Sequence, residues 1–164
     1  MRRKLTWSLL AVVVAGAGAG TRALATPASG FSASTLAMAR FDEIDVHNAT
    51  QPAQWQAKLK TKGLSDVYVQ SNLWTPGGTT GWHTHPGHSL IIVTAGTITA
   101  YEGDDPTCTP QVYTQGMGFV DQGGDHVHVL RNEGTTDART VAVQMIPASA
   151  GRRIDVPSPG NCSF

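Results

Sequence analysis

Gly77-Gly-Thr-Thr-Gly-Trp-His83-Thr-His85-Pro-Gly-His88-Ser-Leu-Ile-Ile-Val-Thr-Ala-Gly96 is the stretch around which the chain is organised. Side chains alternate along an extended segment, so His83 and His85 point to the same face. Glycines at both ends supply sharp turns, and the apolar run Leu90-Ile91-Ile92-Val93 reads as a strand buried on both faces. A second stretch repeats the design: Gly123-Gly124-Asp125-His126-Val127-His128-Val129-Leu130-Arg131-Asn132. Here alternation puts His126 and His128 on one face and Val127 and Val129 on the other. Two such strands side by side would bring three or four imidazoles to one point, which is the pattern of a metal site.

Outward from these segments, strands continue to be the rule. Trp55, Ala57 and Leu59 alternate with Gln56, Lys58 and Lys60, a period of two. The lysines Lys58, Lys60 and Lys62 then share a face, read first as charge protecting an edge strand and second as a funnel for an anion. Further strands are expected over Asp66–Trp74, Thr97–Tyr101, Gln111–Thr114, Gly118–Val120 and Thr140–Ile146, with Pro147 ending the last. Asp104 and Asp105 sit before Pro106 as turn formers. Eighteen glycines and nine prolines in 164 residues agree with many short strands, and no long segment has helical periodicity. The architecture is therefore all-β, and a closed or nearly closed barrel is the economical solution.

The ends read differently. Arg2-Arg3-Lys4, the apolar stretch Leu9 to Ala19 and Ala23-Leu24-Ala25 together read as a secretory signal cleaved after Ala25. Residues 26–40 are small and polar without periodicity and read as a flexible lead-in, with the single domain spanning 41–164. Without residues 1–25, eight basic residues face twelve acidic ones, a net charge of −4 with neutral histidines. That balance argues against nucleic acid as a partner. Signal cleavage leaves no membrane anchor in this reading. The two cysteines, Cys108 and Cys162, lie in turn-rich sequence, and in an exported protein such a pair is expected to form a disulfide.

The two histidine segments resemble the paired motifs of the cupin superfamily, in the manner of its small single-domain bacterial members. Gly77, His83, His85 and Gly96 fit the first motif, G-x5-H-x-H-x3,4-E-x6-G, with Ser89 in the place of the glutamate. His128-x3-Asn132 fits the close of the second motif, G-x5-P-x-G-x2-H-x3-N. Upstream of it Gly116 is in place, Gln122 stands where proline is expected, and one extra residue precedes the histidine. The resemblance covers about residues 64–146. It implies a double-stranded β-helix, a jelly-roll-like barrel of two antiparallel sheets, holding one divalent metal (iron, manganese or zinc).

Carried over by position, the implied ligands are His83, His85 and His128. The serine hydroxyl at Ser89 is a poor substitute for a carboxylate. Three ligand sets stay open: the three histidines alone, His126 turned inward as a fourth, or His88 reaching in beside the vacant position. Losing the glutamate leaves the complex more positive, which favours an anionic chelating small molecule. Asp121 and Asp125 are the candidate carboxylates for acid–base or supporting work. His47 is outside both motifs and reads as structural or exposed.

Two classes of function follow. One is a metal-dependent enzyme, an oxidoreductase of the dioxygenase kind acting on a small molecule; the other is a non-catalytic ligand-binding or structural barrel. The fold hosts both, so the cavity has to separate them. Polar groups converging on an open metal face favour catalysis, whereas filling by Trp82, Met117 or Phe119 favours a structural role. The resemblance also implies homodimers paired through exposed sheet edges.

Overall fold

The computed structural model describes residues 24–51 and 54–164. The expected signal segment, apart from its last two residues, lies outside them. The described residues form twelve strands and no helix: β1 (Ser29–Phe41), β2 (Asp45–Ala49), β3 (Gln56–Lys60), β4 (Ser65–Thr79), β5 (His83–Thr84), β6 (Ser89–Ala95), β7 (Thr97–Glu102), β8 (Gln111–Thr114), β9 (Gly118–Asp121), β10 (His128–Arg131), β11 (Ala138–Pro147) and β12 (Ile154–Asp155). Ten of them join one antiparallel sheet that curls into a nearly closed barrel, in the order β12-β5-β10-β4-β11-β6-β9, with β1 added to β4 and the β7–β8 hairpin added to β10. Only β2 and β3 stand apart as a two-stranded ribbon.

The alternation of β11 shows how sequence becomes a wall. Ala138, Thr140, Ala142, Gln144 and Ile146 are buried, and the residues between them face outward. Inside, Trp74, Val93, Ile98, Ala100, Leu130 and Ala138 form one core cluster, against which Phe31, Tyr113 and Phe119 pack. Burying a large apolar side chain of this kind contributes about 1.5–3 kcal/mol. A second cluster, Trp82, Tyr101, Val129 and Cys162, lies on the opposite face of β7 and β10, because Tyr101 and Val129 alternate with Ala100 and Leu130 along the paired strands. There the Cys108–Cys162 disulfide forms as expected, with Cα atoms 5.3 Å apart. The Phe164 ring packs over Trp82 and against Tyr101, and the Arg131 guanidinium lies 4.0 Å above it.

Two expectations are corrected. The stretch 26–40 is not a flexible lead-in: residues 29–41 form the thirteen-residue strand β1, paired with β4 from Ser29↔Thr79 to Phe41↔Ser65. The strand lies at an edge, where backbone hydrogen bonds to β4 rather than buried apolar groups hold it, and even its larger apolar side chains Leu36, Met38 and Phe41 stay exposed. Phe31 is its one half-buried residue, and it tilts against Trp74 at 4.9 Å. The run Leu90–Val93 is not buried on both faces either. Ile91 and Val93 point into the barrel, while Leu90 and Ile92 remain 56% and 54% exposed. One sheet curled on itself has a single interior, and no described residue covers Leu90 and Ile92 on the outside of β6.

Candidate metal centre

Backbone register brings the two histidine segments together. His83 of β5 and His128 of β10 are direct antiparallel partners, so their side chains share the inner face. His85 follows just beyond β5. Its loop is laced to the second segment: Gly124 N–H donates to the His85 carbonyl at 2.7 Å, and Thr84 Oγ1 donates to the Gly124 carbonyl at 2.6 Å. Gly123 (φ 66°) is required here, since a Cβ on it would stand 2.2 Å from the Gly87 carbonyl oxygen.

The three imidazoles converge, with ring centroids 4.3 Å apart for His83–His128, 4.8 Å for His83–His85 and 5.7 Å for His85–His128. One ligand nitrogen from each lies within 4.8 Å of the others. His83 Nδ1 is 2.9 Å from the Gly81 carbonyl, and His85 Nδ1 is 2.6 Å from the Arg152 carbonyl. A carbonyl only accepts, so His83 Nδ1 carries the hydrogen. His85 Nδ1 also has the Gln144 amide nitrogen at 3.0 Å, but its shorter contact with the Arg152 carbonyl assigns the hydrogen there too, which leaves both Nε2 lone pairs for a metal. Burial, reinforced by the neighbouring His128, Arg153 and His85, drives His83 far below the usual histidine range. Burial likewise pushes His128 down to about 4, against the pull of Asp121. Neutral imidazoles are the form that binds a cation. The donor set thus fits a divalent metal that accepts imidazole ligands.

The remaining predicted residues have other places. His126 precedes β10, where strand alternation has not begun; its Nδ1 is 3.4 Å from Glu102, away from the three-histidine cluster. His88 is exposed and lines a separate shallow pocket beside Met145. Lys60 pairs with Asp45 at 2.7 Å, and none of the three lysines lines the histidine cavity. Asp125 is exposed, whereas Asp121 is buried beside Ser89. Asp105 forms the expected turn, accepting from Thr107 N–H and Thr109 N–H.

The histidines open onto a cavity of about 150 Å³. Trp74, Ile91, Leu130 and Ala142 give it an apolar wall, and Gln70, Asn72, Gln144, Arg152 and Arg153 bring polar groups to it. Neither Trp82, Met117 nor Phe119 fills it. The two arginines have no periodic signature in the tail sequence, and only the return of the chain past β11 places them at the site. Arg152 stacks on Tyr68 at 4.2 Å and reaches Gln144, Gln70 and Thr35. Arg153 reaches the Thr80 carbonyl and Asp155.

A sequence model described as Cupin domain matches residues 73–144, which span both histidine segments. Residues 73–144 are a cupin domain. One solved structure agrees on the fold over most of the chain. The polyketide cyclase RemF from Streptomyces resistomycificus superimposes over 85% of this cupin and 85% of its own chain, with TM-score 0.52 and 15% identity. The cupin domain of an XRE family transcriptional regulator from Enterobacter cloacae matches 71% of this chain and 96% of its own, with TM-score 0.44 and 12% identity. An oxalate oxidase matches 50% of this chain at 24% identity and TM-score 0.42, and this cupin spans 46% of that longer chain. No curated protein matches this cupin significantly.

Proposed function

We propose that this cupin is a metal-dependent enzyme acting on a small anionic molecule, an oxidoreductase of the dioxygenase kind. The observation that carries the reading is a three-histidine cluster facing an open, partly polar cavity rather than a packed interior. His83, His85 and His128 would hold the metal. When bound, it would supply Lewis acidity and, as iron or manganese, one-electron chemistry with dioxygen. A dioxygenase places both atoms of dioxygen in its substrate, so no external reductant is required.

The cavity residues support the substrate class. A volume near 150 Å³ is on the order of what admits a benzene-sized molecule. Arg152 and Arg153 supply positive charge where an anionic group would dock. The Trp74 indole N–H, on a residue that lines the same cavity, is buried without a hydrogen-bond partner among the described residues, and would donate to a ligand acceptor. Export through a cleaved signal is part of the proposal and is supported by the disulfide, a bond of oxidising compartments. Pairing of two copies is supported by the apolar row that the barrel turns outward.

The test is metal content of the purified wild type beside His83→Ala, His128→Ala and His126→Ala. Near-stoichiometric iron or manganese, lost in the first two and retained in the third, is expected. An oxygen-electrode screen of small carboxylates and phenolates then follows, with uptake abolished in His128→Ala. A wild type that takes up no divalent metal after reconstitution defeats the enzyme reading and leaves a binding or structural barrel.

A further inference from the structure

Asp121 is the buried ionisable group that the three-histidine reading leaves without a task. It lies on β9 directly opposite Ser89 of β6, in register Ser89↔Asp121, so both side chains face the barrel interior. Residues opposite one another on antiparallel strands have Cβ atoms about 5 Å apart. A carboxylate at 121 can therefore reach the space that a glutamate at 89 would occupy.

The contacts agree. Gly123 N–H donates to Asp121 Oδ1 at 2.9 Å, which anchors one oxygen. The other, Oδ2, lies 3.4 Å from His85 Nε2, the nitrogen left free for a metal, and 3.4 Å from the Ser89 hydroxyl. Ligand atoms about 2.1 Å from one ion at a tetrahedral angle are themselves roughly 3.4 Å apart. The spacing is that of two ligands on one cation. Asp121 is 6% exposed, and among the described residues its ion-pair neighbours are His85 and His128, with no lysine or arginine beside it. A carboxylate buried in this way needs a cation to offset its desolvation.

We propose that Asp121 supplies the carboxylate ligand missing at Ser89, so that the site is three histidines and an aspartate delivered from the neighbouring strand. The inference rests on the metal-site reading above and changes what that site is. Its net charge drops by one, and one coordination position fewer is left for dioxygen or substrate.

The experiment titrates metal-free full-length protein with Co²⁺, followed by its visible d–d spectrum, and with Zn²⁺ in competition against a chelator. Wild type, Asp121→Asn, Ser89→Glu and the double variant are compared. Asp121→Asn keeps an oxygen for the Gly123 N–H, and a thermal unfolding scan of each metal-free variant checks the fold. The expected result is a loss of affinity of at least about 100-fold in Asp121→Asn, with an altered Co²⁺ spectrum. Return to within about tenfold of wild type is expected when Ser89→Glu is added. Equal affinity in wild type and Asp121→Asn overturns the inference while leaving the metal site standing. A weak Asp121→Asn that Ser89→Glu does not rescue also overturns it, since Asp121 then acts by holding the loop or His128. A wild type that binds neither ion brings down the inference and the metal-site reading together.

Discussion

Two imidazoles buried side by side, His83 and His128, set how the metal-free protein responds to acid. Burial lowers the affinity of both for protons in the fold, while in the unfolded chain each titrates near 6.5. Above that value both states are neutral and the full stability is present. As pH falls below it, the unfolded chain binds protons that the fold refuses, and stability declines by up to about 1.4 kcal/mol per pH unit for each histidine. The decline attributable to His128 levels off near its folded value of about 4. The unfolding midpoint of metal-free protein should therefore drop between pH 7 and pH 5, with a shallower slope in His83→Gln. A midpoint unchanged over that range contradicts the neutral, buried state of the pair. The same step should release metal from the loaded protein, because a protonated imidazole has no lone pair to give.

At the scale of elements, β1 depends on a few specific contacts. Its far end is held by Arg40, whose Nε and Nη2 donate to the two oxygens of Asp66 at 2.7 and 2.8 Å. Ser149 N–H donates to the same carboxylate at 2.8 Å, which ties β1, β4 and the tail after β11 together. These hydrogen bonds, the Arg40 pair first, hold Asp66 down to about 2. Its contribution is therefore complete above about pH 4 and is lost as pH falls through 2. In Asp66→Asn, hydrogen exchange should speed up along Arg40 to Ala37 and stay unchanged in β6 and β11. Uniform exchange would mean that the pair holds nothing locally. The turn at Gly123 is the corresponding weak point of the site. Gly123→Ala adds a left-handed strain of about 1–2 kcal/mol and a clash with the Gly87 carbonyl, at 2.2 Å from the new Cβ. It should lower the melting temperature and weaken Zn²⁺ binding together, because the clash falls between the loops that carry His85 and His128.

For the whole molecule, closure of the tail matters most. The disulfide joins residues 54 apart and seats the C-terminal residues against Trp82. Its loss is expected to cost roughly 2–5 kcal/mol. Cys108→Ser/Cys162→Ser should melt lower and show red-shifted tryptophan emission as Trp82 meets water. An unshifted emission spectrum would mean that the tail stays seated without the bond. On the outside, β9, β6, β11, β4 and β1 place Val120, Leu90, Val143, Val69 and Ala37 in one cross-strand row. Val120 and Leu90 are more than half exposed. Contiguous apolar surface of this sort marks an interaction face. Sedimentation should report a dimer that Leu90→Lys/Val120→Lys converts to monomer; a wild type monomeric at high concentration removes the dimer from the proposal.

Much of this was readable from the chain alone. Period-two patterning and the glycine-bounded histidine segments are local properties, since strand alternation acts over neighbouring residues, and they were enough to predict an all-β barrel with His83, His85 and His128 on its inner face. Cys108 and Cys162, a lone pair in turn sequence, left one possible bridge. Tertiary structure alone decided the rest. Strand β1 has no apolar period because an edge strand is held by its partner's backbone, so nothing in 26–40 announces it. His126 shares a two-residue spacing with His128 but lies before β10 begins, and spacing carries no information about where a strand starts. Leu90 and Ile92 look like core until the curvature of a single sheet leaves one face outside. Arg152 and Arg153 reach the site only through the return of the chain past β11. Asp121, already a candidate carboxylate in the sequence, takes its place opposite Ser89 through strand register, which is a property of the folded sheet rather than of any one segment.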